Sequence, residues 1–137
     1  MLSRKGEVVD TIEQLEEIIN AIIPTEWEAF ESLGAKVEKT AAKLDAGRTT
    51  DNAQRGELRG VLKVKAGQTL AAGETLFTLP AALRPVAKRI IDAVSGLEAT
   101  TSTGNKLIIE ANGVVKVTVA VTEGQEVFLD GLIFAIS

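Results

Sequence analysis

Residues 106–121 read Lys106-Leu107-Ile108-Ile109-Glu110-Ala111-Asn112-Gly113-Val114-Val115-Lys116-Val117-Thr118-Val119-Ala120-Val121. Two β-branched runs flank Asn112-Gly113, and this dipeptide accepts the positive φ angles that a two-residue type I′ hairpin demands. Alternation then assigns the faces: Val115, Val117, Val119 and Val121 fall on one side, Lys116 and Thr118 on the other. The same period continues outward. Glu123-Gly124 predicts a turn, residues 127–129 a strand, and Asp130-Gly131 another turn. Residues 132–136 are apolar throughout, which suits a buried or subunit-facing last strand rather than a frayed tail.

Towards the N-terminus, residues 57–65 alternate as a strand, Ala66-Gly67 and Ala72-Gly73 punctuate, and residues 75–79 form a strand that Pro80 stops. Leu83-Arg84-Pro85 is a second break, and residues 100–105 are a polar loop. Residues 86–94 fit either a strand or a short helix. The stretch 57–137 therefore carries six to eight short strands, the signature of a small antiparallel sandwich, jelly roll or barrel. It is expected to fold without the residues before it. So small a sheet leaves edges that oligomerisation would cover.

The first third has a different character. Asp10 with Glu13, and Thr11 with Gln14, are candidate capping boxes for a helix that Pro24 ends. Ile12, Leu15, Ile19 and Ile22 form its apolar stripe, with Glu13, Glu16 and Glu17 in its first half. Thr25 and Glu28 predict a second helix running to Ala46, with Phe30, Val37 and Leu44 spaced by seven. Residues 47–56 are polar and bounded by Gly47 and Gly56, a linker by composition. The expected organisation is α+β: a helical anchor or stalk at 1–46, a linker at 47–56 and a β head at 57–137. The helices either pack on the head or self-associate and plug into a partner. Trp27 and Phe30, one turn apart, are aromatic anchor candidates beside Ile12, Leu15, Ile19 and Ile22.

Composition narrows the chemistry. The 137 residues contain no histidine and no cysteine, which removes the usual structural zinc sites, disulfides, cysteine nucleophiles and Ser-His-Asp catalysis. No dense carboxylate cluster suggests a metal, and no cofactor is expected. Asp92 and Glu110 could be read as an acid–base pair, but acidic residues on strands are usually solvated. Net charge is −4, all of it in residues 1–48. The nearest approach to a basic stripe, Arg84, Lys88 and Arg89, is too small for a nucleic-acid footprint. No apolar run long enough for a secretory signal or a membrane span follows Met1. Loop residues on a rigid β scaffold are the natural contact candidates, here Arg84, Asn105 and Gln125.

Leu79-Pro80-Ala81-Ala82-Leu83-Arg84-Pro85, the hairpin around Asn112-Gly113 and the closing run 131–137 together resemble the C-terminal heads of phage tail-fibre, baseplate and head-fibre proteins. The resemblance covers residues 57–137 and implies that 86–94 is a strand. It also implies a homotrimer in the virion, assembled in the host cytoplasm. The N-terminal helices would attach to another virion protein, and the head would point outward, towards a host surface receptor in some members. One departure matters. Residues 57–137 contain no Trp, Tyr or His, the residues that usually bind saccharides, so a capsid decoration or head-fibre role stands close behind receptor binding. A self-associating adaptor outside virions is the remaining alternative.

Overall fold

The computed structural model describes residues 26–40, 45–50, 53–97 and 103–137. The first expected helix, with Ile12, Leu15, Ile19 and Ile22, lies outside the described residues. The described chain is largely β. Its strands in order are β1 (Glu28–Ala29), β2 (Ser32–Leu33), β3 (Val37–Lys39), β4 (Ala46–Thr50), β5 (Arg55–Arg59), β6 (Val61–Val64), β7 (Thr75–Thr78), β8 (Arg89–Gly96), β9 (Thr103–Ile109), β10 (Val114–Val117), β11 (Glu126–Phe128) and β12 (Ile133–Ala135). A single 3-10 turn, Ala81–Leu83, begins right after Pro80, whose fixed φ starts it and whose carbonyl accepts the Leu83 N–H at 3.0 Å.

Two antiparallel sheets form a jelly-roll-like sandwich. One has four strands in the order β1-β4-β5-β12, the other eight in the order β2-β7-β10-β9-β8-β11-β6-β3. Alternation along each strand sends one set of side chains inward. Leu58 and Phe134 enter from the smaller sheet and meet Leu62, Phe77, Leu107, Ile109, Val115, Val117 and Val127 from the larger one. Leu83, on the 3-10 turn, covers β4: a side-chain carbon added at Gly47 would lie 2.7 Å from its Cδ1.

Three expectations need correction. The second helix is absent from the described residues of 26–46, where β1 to β3 and the start of β4 lie instead. Phe30 and Val37, expected on a helical seam, instead reach the core from extended chain on either side of a turn closed by Val37 N–H to Gly34 O at 3.0 Å. Gly34 is the reason this turn fits: a Cβ there would sit 2.0 Å from the Thr75 carbonyl oxygen. Nor are residues 47–50 and 55–56 a connector. They belong to β4 and β5, which pair in continuous register from Ala46↔Arg59 to Thr50↔Arg55. A boundary at residue 57 would cut β5, and removing residues 1–56 would strip β2 from β7 and β3 from β6.

The third correction concerns the hairpin. β9 and β10 pair as read, Val115 opposite Ile109, but the connection has three residues. Glu110 N–H bonds Val114 O and Gly113 N–H bonds Glu110 O, both at 2.9 Å. Of Asn112 and Gly113, only Gly113 has positive φ, at 90°, whereas a type I′ turn needs it at both central residues. Asn112 instead accepts the Val114 N–H through Oδ1 at 3.1 Å. Gly113 is also crowded, since a Cβ would lie 2.7 Å from Arg84 Nε and 2.9 Å from Leu79 O. Gly113→Ala is therefore expected to cost about 1–3 kcal/mol, the usual range for a forced left-handed residue. Urea denaturation would check it by a lowered midpoint at unchanged slope.

Candidate functional site

On the outer face of the four-stranded sheet, β4 and β5 place Arg48 directly opposite Glu57, and Arg48 Nε donates to Glu57 Oε1 at 2.7 Å. Ile133 of β12 lies opposite Glu57 on the far side and is half exposed. Trp27, just before β1, sits against this face. The Arg48 guanidinium carbon is 4.4 Å from the Trp27 ring centroid and that of Arg59 is 4.2 Å away. The ring's negative face favours both cations. Only Arg48 has a carboxylate partner among the described residues. The Nε of Arg59 is buried and meets no acceptor among them.

Asp45 lies beside the same end of β4 and is 2% exposed. One oxygen accepts the Val61 N–H at 3.1 Å; the other, Oδ2, is buried and meets no donor among the described residues. Burial pushes its pKa up, an effect the Val61 bond and Lys39 oppose and Asp130 reinforces. Folded Asp45 therefore holds its proton at pH values where the unfolded chain has lost it. Its contribution to stability is full below the ordinary carboxylate value of 3.8 and declines as pH rises through the higher folded value. Glu74, bonded to Lys36 and the Ala71 N–H, and Glu110, bonded to Lys116, are held low and act in the opposite sense, losing their contribution as pH falls. Asp45→Asn keeps an acceptor for Val61 and replaces a buried charge with a neutral group. It is expected to raise the melting temperature at neutral pH and to flatten the decline that sets in as pH rises above the ordinary carboxylate value, as thermal melts over a series of pH values would register.

A second feature is an apolar outer surface along β8. Val86, Ile90 and Leu97 are 73%, 60% and 60% exposed. Val94 is also exposed, and its cross-strand neighbour is Phe128. Ile90 faces Ile108 across the pair, and the salt bridge from Lys106 to Asp92 (3.1 Å) stands between the two apolar groups. A third feature is a shallow groove of about 420 Å³ lined by Ala35, Lys36, Leu70, Gly73, Glu74 and Thr75. Its floor is satisfied internally, with Lys36 Nζ donating to Thr69 O at 3.1 Å and to Glu74 Oε1 at 2.9 Å.

The residues singled out from sequence do not converge. Arg84 binds within its own fold, to the Leu79 carbonyl at 3.1 Å and to the Glu31 carboxylate. Asn105 is 1% exposed and spends all four of its hydrogen-bonding positions internally. Gln125 closes its own turn by accepting the Thr122 N–H at 3.1 Å. Phe30 is stacked on Phe77 in the core, ring centroids 4.0 Å apart, so it offers no ring to a partner. Trp27 is the one aromatic candidate at a surface. Its neighbours Arg48, Glu57 and Arg59 are not legible as a site from sequence, where 47–56 reads as a linker and 57–65 as a separate strand; the alternation of Arg55, Glu57 and Arg59 is the available signal. Asp92 and Glu110 are paired with Lys106 and Lys116 rather than with each other. Among the described residues no group of three or more His, Cys, Asp or Glu could hold a metal ion, and no helix is long and apolar enough to cross a membrane.

No protein-family model matches the chain, and no curated protein matches it. Among solved structures it is similar to the receptor binding protein (gp15) of Listeria phage PSA, with a TM-score of 0.67 and 12% identity, over 100% of this chain and 82% of that one. A likeness at that identity establishes the fold.

Proposed function

We propose that this chain is a non-catalytic structural protein of a phage virion, homotrimeric through its β sandwich and held to another virion protein by residues before Trp27. Host attachment is the favoured use of the outward surface, with capsid decoration as the second reading. The observation that carries the proposal is the full-length likeness of fold to a phage receptor binding protein. It agrees with the head pattern of residues 79–85, 106–121 and 131–137 read independently from sequence.

Two further observations support particular parts. The exposed apolar residues Val86, Ile90, Val94 and Leu97 along β8 suit a contact between copies and favour a homo-oligomer; the number three comes from the resemblance. The stripe Ile12, Leu15, Ile19 and Ile22 suits an anchor, since burying one Ile contributes roughly 1.5–3 kcal/mol. Phe30, a core residue, has no part in it.

The anchor is tested by Ile19→Asp combined with Ile22→Asp. The double variant is expected to keep the β-type circular dichroism spectrum and to disappear from assembled particles. Normal incorporation would put the attachment elsewhere, and dissociation of the oligomer would make these residues an association device, favouring a self-associating adaptor. Sedimentation equilibrium of the unaltered protein is expected to give about three times 14.5 kDa.

A further inference from the structure

We infer that Trp27, Arg48 and Arg59 form an oxyanion-binding site on the outer face of the four-stranded sheet, for a carboxylate- or phosphate-bearing sugar unit. Two guanidiniums within 4.4 Å of one ring centroid are concentrated charge, and a single carboxylate, Glu57, is bonded to one of them. Arg59 is left with its positive charge and no described carboxylate partner. The ring contact holds Arg59 in place, but Arg59, partly buried against the ring with Nε meeting no acceptor among the described residues, keeps a positive charge that no described carboxylate neutralises. Packing on Trp27 fixes the plane of the guanidinium before a ligand arrives, so less side-chain entropy is lost on binding. The remaining N–H groups of Arg59 are suited to a planar carboxylate or a phosphate, which guanidinium binds through paired, charge-assisted hydrogen bonds. Glu57 sets the selectivity: it holds Arg48 in place and repels acids that do not seat on Arg59.

The site also revises the expectation that the β sandwich lacks saccharide-type residues. Trp27 precedes residue 57, but the fold brings it onto the sandwich. That the acid is borne by a sugar rests on the host-attachment reading above; the affinity for an oxyanion rests on the geometry of the three side chains.

Trp27 is the only tryptophan in the chain, so its fluorescence reports this site alone. Titration of the purified full-length protein with galacturonate and with glucose 6-phosphate is expected to give a saturable change for at least one of them. Galactose should give none, and added salt should weaken the response. Arg59→Gln is expected to weaken binding at least tenfold while Arg59→Lys retains part of it, the latter guarding against a variant that fails to fold. Equal binding by Arg59→Gln, an equal response to galactose, or no saturable change with either acid would overturn the site. A response to inorganic phosphate matching that to both sugar acids would overturn the sugar assignment. A protein that binds the acids yet is missing from virions would keep the site and remove the viral role.

Discussion

Asn105→Leu is expected to destabilise the protein by about 3 kcal/mol, the cost of leaving three part-buried backbone groups and the buried Ser95 hydroxyl without the Asn105 side chain. The residue sits near the start of β9 at the end of β10, where the ladder stops. Its Oδ1 accepts the N–H groups of Thr118 and Val119, each at 3.1 Å. Its Nδ2 donates to Val119 O at 3.0 Å and to Ser95 Oγ at 3.2 Å. One side chain thus replaces the missing strand partner on β10 and ties β8 to it. Leucine is close in size, so the loss is polar rather than steric, and no compensating cavity forms. Because small domains are stable by only about 5–15 kcal/mol, this is a large fraction of the total. Urea denaturation should show the midpoint falling with the slope unchanged. A change below about 0.5 kcal/mol, the scale of ordinary surface substitutions, would mean that water replaces Asn105 without cost.

The second large effect concerns assembly. Ile90→Asp combined with Val94→Asp is expected to convert the proposed trimer to monomers without unfolding it. Both side chains point away from the core on β8, and both are well exposed in the single chain, so neither substitution disturbs the packing beneath. In an oligomer closed through this face each copy would bury two carboxylates against Ile108, Phe128 and Val86, and an unpaired charge in an apolar interface is strongly unfavourable. Sedimentation should then give a mass near 14.5 kDa with an unaltered β spectrum. Retention of the larger mass would assign the contact to another surface.

What the sequence disclosed follows the length of each element. β9 and β10, with seven and four residues, are long enough for a period of two to be visible, and their pairing around Asn112-Gly113 was legible. The eight-residue β8 was ambiguous because Ala and Ile serve both structures. β1 and β2 have two residues each and β3 has three, too short to show any period. The Glu-, Lys- and Ala-rich composition around them imitates a helix. There tertiary pairing overrides propensity, and Gly34 closes the turn between β2 and β3. The candidate site shared this difficulty. Trp27, Arg48 and Arg59 come together only through the pairing of β1 with β4 and β4 with β5, and no local pattern announces a contact made across three strands.

Placement in a phage particle is the central proposal, and antibody labelling of purified particles, viewed by negative-stain electron microscopy, tests it most directly. The proposed role predicts label at one fixed position on the particle, repeated from one particle to the next, with the chain detected in the same preparation by immunoblot. Particles that carry no label and contain no trace of the chain would contradict it.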